Sequence, residues 1–403
     1  MGVLDGLRVV EAASMILVPA AAAILADFGA DVVKVEPLEG DENRRLHELS
    51  TLPQSPVPYS FLMDNRSKRG LALDLKHPEG RAVLDRLLAR ADVFMTNFRR
   101  PALARLGLTW GDLAPRYPRL IYACAGGFGD TGPEADKPAY DTVVYWARSG
   151  LETSLLTADG ELGQIPAGSG DHPSALALFG AVLLALFARE RTGRGLAVST
   201  SLLAAGAWAN ATTLQAQLVG ATLPPKRRRG EAASFGAVYY RTRDGRLLKF
   251  ALVNPGRLWP RFCRAVERPE WIADPRYASA EARRARAAEL VALLEPIFAA
   301  RDAAEWRARF EAYDIPFAVL PTYEEIAADP QLDAAGVLPW LDHPRLGRLR
   351  TVDSPIQVAG GPKTPPRPAP ELGQHTAEVL AEVGYSAEEI AGLRRAGVIA
   401  GGP

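Results

Sequence analysis

Residues 7–35 read LRVVEAASMILVPAAAAILADFGADVVKV, and the two ends of that stretch follow a different rule from its middle. Leu7-Arg8-Val9-Val10 and Asp31-Val32-Val33-Lys34-Val35 are short runs rich in β-branched residues, bounded by polar or glycine positions, and read as strands. Between them, Pro19 to Phe28 is an alanine-rich segment with proline near its first turn, which suits a helix, and Gly29 ends it. The alternation returns twice. Pro78 to Ala91 reads as helix and Val93-Phe94-Met95-Thr96 as strand, then Trp110 to Tyr117 as helix and Leu120-Ile121-Tyr122-Ala123 as strand. Strands alternating with helices predict an α/β fold with a parallel sheet covered on both faces.

Further along, a loop rich in Gly and Pro (126–138) leads towards Asp171-His172-Pro173 and a strongly apolar helix ending near Arg191. Gly193 and Gly195 stop that helix, and Leu196 to Ser201 reads as a strand. The stretch Pro224 to Gly230, with Lys226, Arg227, Arg228 and Arg229 inside it, reads as a solvated linker. Beyond it, Val238-Tyr239-Tyr240, the turn Asp244-Gly245 and Leu247 to Leu252 predict a hairpin. Helical stretches around 257–266 and 281–312 complete a smaller α+β domain. Ile315 to Leu320 is read as starting a return, followed by a Pro-rich crossing (362–370) and a helix from His375 to Val383. The expected boundaries are 1–205 for the first part of the large domain, 206–230 for a linker, and 231–317 for the small domain. A second linker is expected at 318–345, and 346–403 completes the large domain.

The chain has 403 residues, with 47 Lys and Arg against 47 Asp and Glu. Zero formal charge gives no global field for nucleic acid or an anionic membrane, so an anionic ligand must be held by local groups. Two cysteines, Cys124 and Cys263, and five scattered histidines suggest neither a disulfide framework nor a metal site. The opening MGVLDG matches neither a signal peptide nor an acylation motif, since position 6 is Gly. The longest apolar stretch, Ala175 to Phe187, is shorter than the roughly 20 residues of a membrane span and reads as a buried helix. A soluble, cytoplasmic protein is expected.

Two motifs need weighing. Gly127-Phe-Gly129-Asp-Thr-Gly132 has dinucleotide-loop spacing after a strand, but Pro133 and Pro138 interrupt the helix that such a loop must open. A loop that lets backbone approach a neighbour closely is the better reading. Asp171, ahead of Pro173 and an apolar helix, reads as an N-cap.

Taken together and in order, several stretches resemble the class III CoA-transferases, the family of formyl-CoA:oxalate and carnitine CoA-transferases and of 2-methylacyl-CoA racemase. They are Leu7 to Glu11 with Pro19, Phe28 to Glu36, Asn65 to Arg69 with Leu73 to Lys76, and Asn97-Phe98-Arg99 with Arg105-Leu106-Gly107. Gly127 to Pro133, Lys137 to Asp141, Arg191 to Gly195 and Leu372 to Thr376 continue the match. The resemblance implies a large Rossmann-like domain built from the N-terminal half and the C-terminal tail. It also implies a smaller domain between them and two chains interlocked as rings in a homodimer. Its nucleophilic aspartate falls on Asp171. Its CoA contacts carry over to Ile16, Leu17, Leu73, Asp74, Leu75, Lys76, Asn97, Phe98, Arg99, Arg105, Lys137, Tyr140 and Asp141. Lys76, Arg105 and Lys137 would serve the phosphates or adenine edge, and Leu73 the adenine face. Acyl-CoA and a carboxylic acid are the implied substrates, with no tightly bound cofactor.

Departures from the family pattern narrow the substrate. Ile16 stands where formyl-CoA transferase has glutamine, Pro37 replaces its basic residue, and 230–260 holds no glycine run. Oxalate and formate are therefore not expected; a larger acid is, such as succinate as donor, with Arg44, Arg45 and the segment around Tyr239 as places for acid specificity. The racemase branch has a histidine where Tyr140 stands, and a phenol with a pKa near 10 is a poor base at neutral pH.

Overall fold

The computed structural model describes residues 2–158, 160, 162–226, 234–252 and 254–401, so Arg227 to Arg229 of the basic run lie outside the described residues. The chain forms two compact units. One comprises Met1–Ser154, Gln164–Ala221 and Pro330–Pro403, and the other Leu155–Gly163 and Thr222–Asp329.

The first unit is organised by a seven-stranded sheet. Its strands are β1 (Arg8–Ala12), β2 (Asp31–Glu36), β3 (Arg69–Leu73), β4 (Val93–Thr96), β5 (Ile121–Gly126) and β6 (Ala197–Ser201). They lie side by side in the order 3-2-1-4-5-6, all parallel. Sheet growth therefore reverses between β1 and β4, and a crevice opens beyond the carboxyl ends of those two strands. Helix Leu17–Asp27, starting two residues before the expected segment, packs on one face with helix Asp171–Thr192. The alanines at 20–23 let the two helices approach closely, and Phe28 stacks on Phe179 at 6.3 Å. Helix Pro78–Leu88 covers the other face, together with Val379, Leu380, Ile390 and Leu393 from the C-terminal helices Thr376–Glu382 and Ala387–Arg395.

Helix Asp171–Thr192 has 22 residues, longer than the apolar run alone suggests, and the expectation of a buried helix needs correction. Ala175, Leu178, Phe179, Val182 and Ala185 are buried, whereas Leu184 and Phe187 of the opposite face are exposed. By length and composition it could cross a membrane, but one face is part of the sheet's core.

In the second unit, β7 (Tyr240–Arg241), β8 (Leu247–Phe250) and β9 (Phe317–Val319) form an antiparallel sheet. The expected hairpin is β7–β8. The segment Ile315 to Leu320, read as the start of a return, is instead the third strand here, because Ile315 and Val319 bury in this unit's aromatic core. The helical stretch 281–312 divides into Ala280–Ala285, Ala287–Ala299 and Ala303–Ala312, the last opened by an Asp302/Glu305 capping box. The first unit also holds the hairpin β10 (Trp340–His343) and β11 (Gly347–Arg350), and ends in β12 (Ile399–Ala400), which pairs antiparallel with β3.

Candidate active site

Beyond β1 the chain turns through Ser14, Met15 and Ile16 before entering helix Leu17–Asp27. Met15 has φ of 67°, a left-handed conformation that disfavours a side chain and must be held by its surroundings. Asn97, just past β4, clamps the turn: its Oδ1 accepts from Ser14 N at 3.0 Å and its Nδ2 donates to Ser14 O at 2.6 Å. Asp41 Oδ1 accepts from Met15 N at 3.0 Å, and Asn43 Nδ2 donates to Met15 O at 2.9 Å. Beneath lies a buried ionic network. Lys34 Nζ meets Glu11 at 2.9 Å and Asp41 at 2.8 Å, and Lys68 Nζ meets Glu11 at 2.6 Å. Burial works against the Lys34 charge, but Glu11 and Asp41 outweigh it and hold its pKa above the ordinary lysine value. At Lys68 burial prevails and the pKa falls to about 8.

Asp171 is the first residue of its helix, and the cap position belongs to Gly170. The expected N-cap role is therefore corrected. Among the described residues no side chain caps this helix; Asp141 instead holds Gly170 from another segment: its Oδ2 accepts from Gly170 N at 3.0 Å and its Oδ1 from Thr142 N at 2.8 Å. Thr142–Arg148 follows as a short π-helix, and its Tyr145 ring fills the space where a Gly170 Cβ would stand, 2.6 Å away. At Gly168, φ is +78° and a Cβ would come within 3.0 Å of Ile16 Cδ1. Glycines are thus what brings Asp171 up to the Ile16 turn. The half-buried Asp171 carboxyl has its pKa pushed up to about 7, by burial first and then by Asp141 and Asp64, with His172 pulling it down.

Asp171 lines a cavity of about 500 Å³ with Ile16, Leu17, Asn97, Phe98, Arg99, Lys137 and Tyr140. A second cavity, of about 890 Å³, is lined by Leu73 to His77, Phe98 and Arg105, and shares Ser14, Glu42 and Phe98 with the first. Arg99, Arg100 and Lys137 face the first cavity and Arg45, Lys76, Arg81 and Arg105 the second. Among the expected contacts, Asp141 lines neither. Leu73 is 1% exposed and packs in the core, so only its edge reaches the second cavity. Lys137 is exposed and paired with Glu134 at 2.8 Å. Arg44, read as a place for acid specificity, is bound by both nitrogens to Glu36 at 2.8 and 2.7 Å, while Arg45 does reach the second cavity. Sequence reasoning missed Met15, Glu42 and the Asp41/Asn43 support. Its one available signal was Lys34, a lone cation among the valines of β2.

The family model described as CoA-transferase family III matches residues 4–376. The (R)-2-hydroxy-4-methylpentanoate CoA-transferase of Clostridioides difficile is 32% identical, over 98% of this chain and 99% of that protein. Cinnamoyl-CoA:phenyllactate CoA-transferase of Clostridium sporogenes is 31% identical, over 97% of this chain and 96% of that one. The chain belongs to CoA-transferase family III. A crystal structure of a CaiB/BaiF family protein from Brucella suis superposes with a TM-score of 0.82 at 29% identity, covering 95% of this chain and 99% of that one. In this family III enzyme the Gly127–Gly132 loop is followed by turns rather than a helix and lines the Asp171 cavity through Gly127, Gly129 and Asp130.

Proposed function

We propose that the enzyme moves CoA from an acyl-CoA to a carboxylic acid, with Asp171 as nucleophile. An Asp171 oxygen attacks the thioester carbonyl and the C–S bond breaks, leaving an aspartyl-acyl anhydride and CoA thiolate. The thiolate attacks the aspartyl carbonyl, forming an aspartyl-CoA thioester and releasing the first acid as carboxylate. The acceptor carboxylate then attacks that thioester, giving a second anhydride. Thiolate attack on the acceptor's acyl carbon forms the new acyl-CoA and restores the Asp171 carboxylate. Thioester energy is conserved at every step, so ATP is not required.

The observation that carries this reading is a carboxylate at the first residue of a 22-residue helix, opening onto a cavity edged by Arg99, Arg100 and Lys137. Amides of the helix start favour its anionic form, and the cations suit the phosphates of CoA. We place the CoA chain across the two adjoining cavities, past Phe98, with Lys76 and Arg105 at its far end. Ile16, Leu17 and Leu202 give the Asp171 cavity an apolar part. That favours an acid with a branched or aromatic side chain over a dicarboxylate, in keeping with the names of the two clostridial relatives. We further infer a homodimer of interlocked chains. Leu184 and Trp208, on two packed helices, are 71% and 82% exposed in the single chain, and such apolar surface calls for a partner.

The racemase alternative needs a second base. Tyr140 is 59% exposed, and Asp141 is committed to the amides of Gly170 and Thr142. Incubation with a 2-methylacyl-CoA in deuterium oxide is expected to give CoA transfer to an added carboxylate and no α-deuteration. Rapid α-deuteration without transfer would establish the racemase reading instead.

A further inference from the structure

Next to Asp171 stands a group that the transfer chemistry above does not use. His172 Nε2 lies 3.1 Å from Oδ1 of Asp64, the last residue of helix Tyr59–Asp64. Asp64 is 1% exposed, and among the described residues its other oxygen has only a long contact from Ser60 Oγ, at 3.4 Å. A carboxylate so buried requires a cation or a full set of donors. Burial opposes the charge on the His172 ring, but Asp64 and Asp171 outweigh it and hold its pKa above the ordinary histidine value. Lys68 also faces Asp64, but it is spent on Glu11, Pro19 O and Asn65.

We propose that His172, held by the buried carboxylate of Asp64, is a positioning residue that keeps a positive charge beside Asp171 and so favours the ionised nucleophile near neutral pH. The inference rests on Asp171 being the nucleophile. Among the described residues, the charged groups acting on Asp171 are Asp141, which accepts from Gly170 N, Asp64, on helix Tyr59–Asp64, and His172 itself. Two of the three are acids that oppose its ionisation. His172 alone supports it. Asp64 thus fixes the ring and its charge.

His172→Gln keeps a donor for Asp64 and removes the cation. The expected result is that the ascending limb of kcat/KM against pH moves alkaline by about one unit, the lower end of what one nearby charge does. At pH 7 kcat/KM then falls about 5- to 10-fold and rejoins wild type near pH 9. His172→Gln/Asp64→Asn removes the cation and the facing acid together, and its limb is expected to move back towards wild type. An unshifted limb in His172→Gln, or a loss equal at all pH values, would overturn the proposal, as would a double variant whose limb lies no closer to wild type. Asp171→Ala, assayed alongside, separates the two claims: if it retains transfer, the nucleophile assignment fails, whereas an inactive Asp171→Ala with an unshifted His172→Gln limb sinks only the role of His172.

Discussion

At the scale of single residues, the most consequential feature is a carboxyl made reluctant to ionise. The Asp171 pKa of about 7 lies well above the unfolded value near 3.8, chiefly through burial. Transfer needs the anion, so kcat/KM is expected to rise about tenfold per pH unit below 7 and to level above it. A profile flat between pH 5 and 8 would contradict this. Stability runs the opposite way. The folded state retains the proton between pH 4 and 7 where the unfolded chain has lost it, so this group's contribution is present at low pH and lost as pH rises through 7. Asp171 was legible in the sequence through its glycine-flanked setting and family motif. That it stands one residue inside the helix was not, because Gly170, at the cap position, is held by Asp141, distant in sequence and joined only by folding.

At the scale of elements, the alternation of strand and helix over the first 130 residues was readable because each segment buries enough apolar side chains to show its period. β3 was not: Arg69–Leu73 carries a Gly and an Arg, and its place depends on β2 and on the two-residue β12 from the far end of the chain. The Ser14–Ile16 turn was equally hidden, since Met15 is held by Asp41 and Asn43 rather than by local sequence. This support can be tested. Lys34→Met leaves Glu11 and Asp41 buried with one fewer cation, and the expected loss in chemical denaturation is about 3–5 kcal/mol. Arg243→Ala, which breaks an exposed pair with Asp302, should barely move the same measurement. Equal effects of the two would show that the buried network does not carry the turn.

At the scale of the whole molecule, the apolar faces around Leu184, Phe187 and Trp208 are where a second copy is expected. No regular signal in the sequence reveals them as exposed, because apolar residues on all sides of a helix read as burial. If the chains are interlocked, dilution cannot separate them, and sedimentation at nanomolar concentration should still give a dimer. A folded monomer there would contradict the interlocking. A covalent path through Asp171 has a more direct test. The enzyme is incubated with an acyl-CoA carrying a branched or aromatic acid, trapped with hydroxylamine, digested and sequenced by mass spectrometry. A hydroxamate is expected on Asp171 that depends on the acyl-CoA and is absent from Asp171→Ala; an unmodified Asp171 peptide during active turnover, or a hydroxamate on another residue, would contradict a covalent path through Asp171.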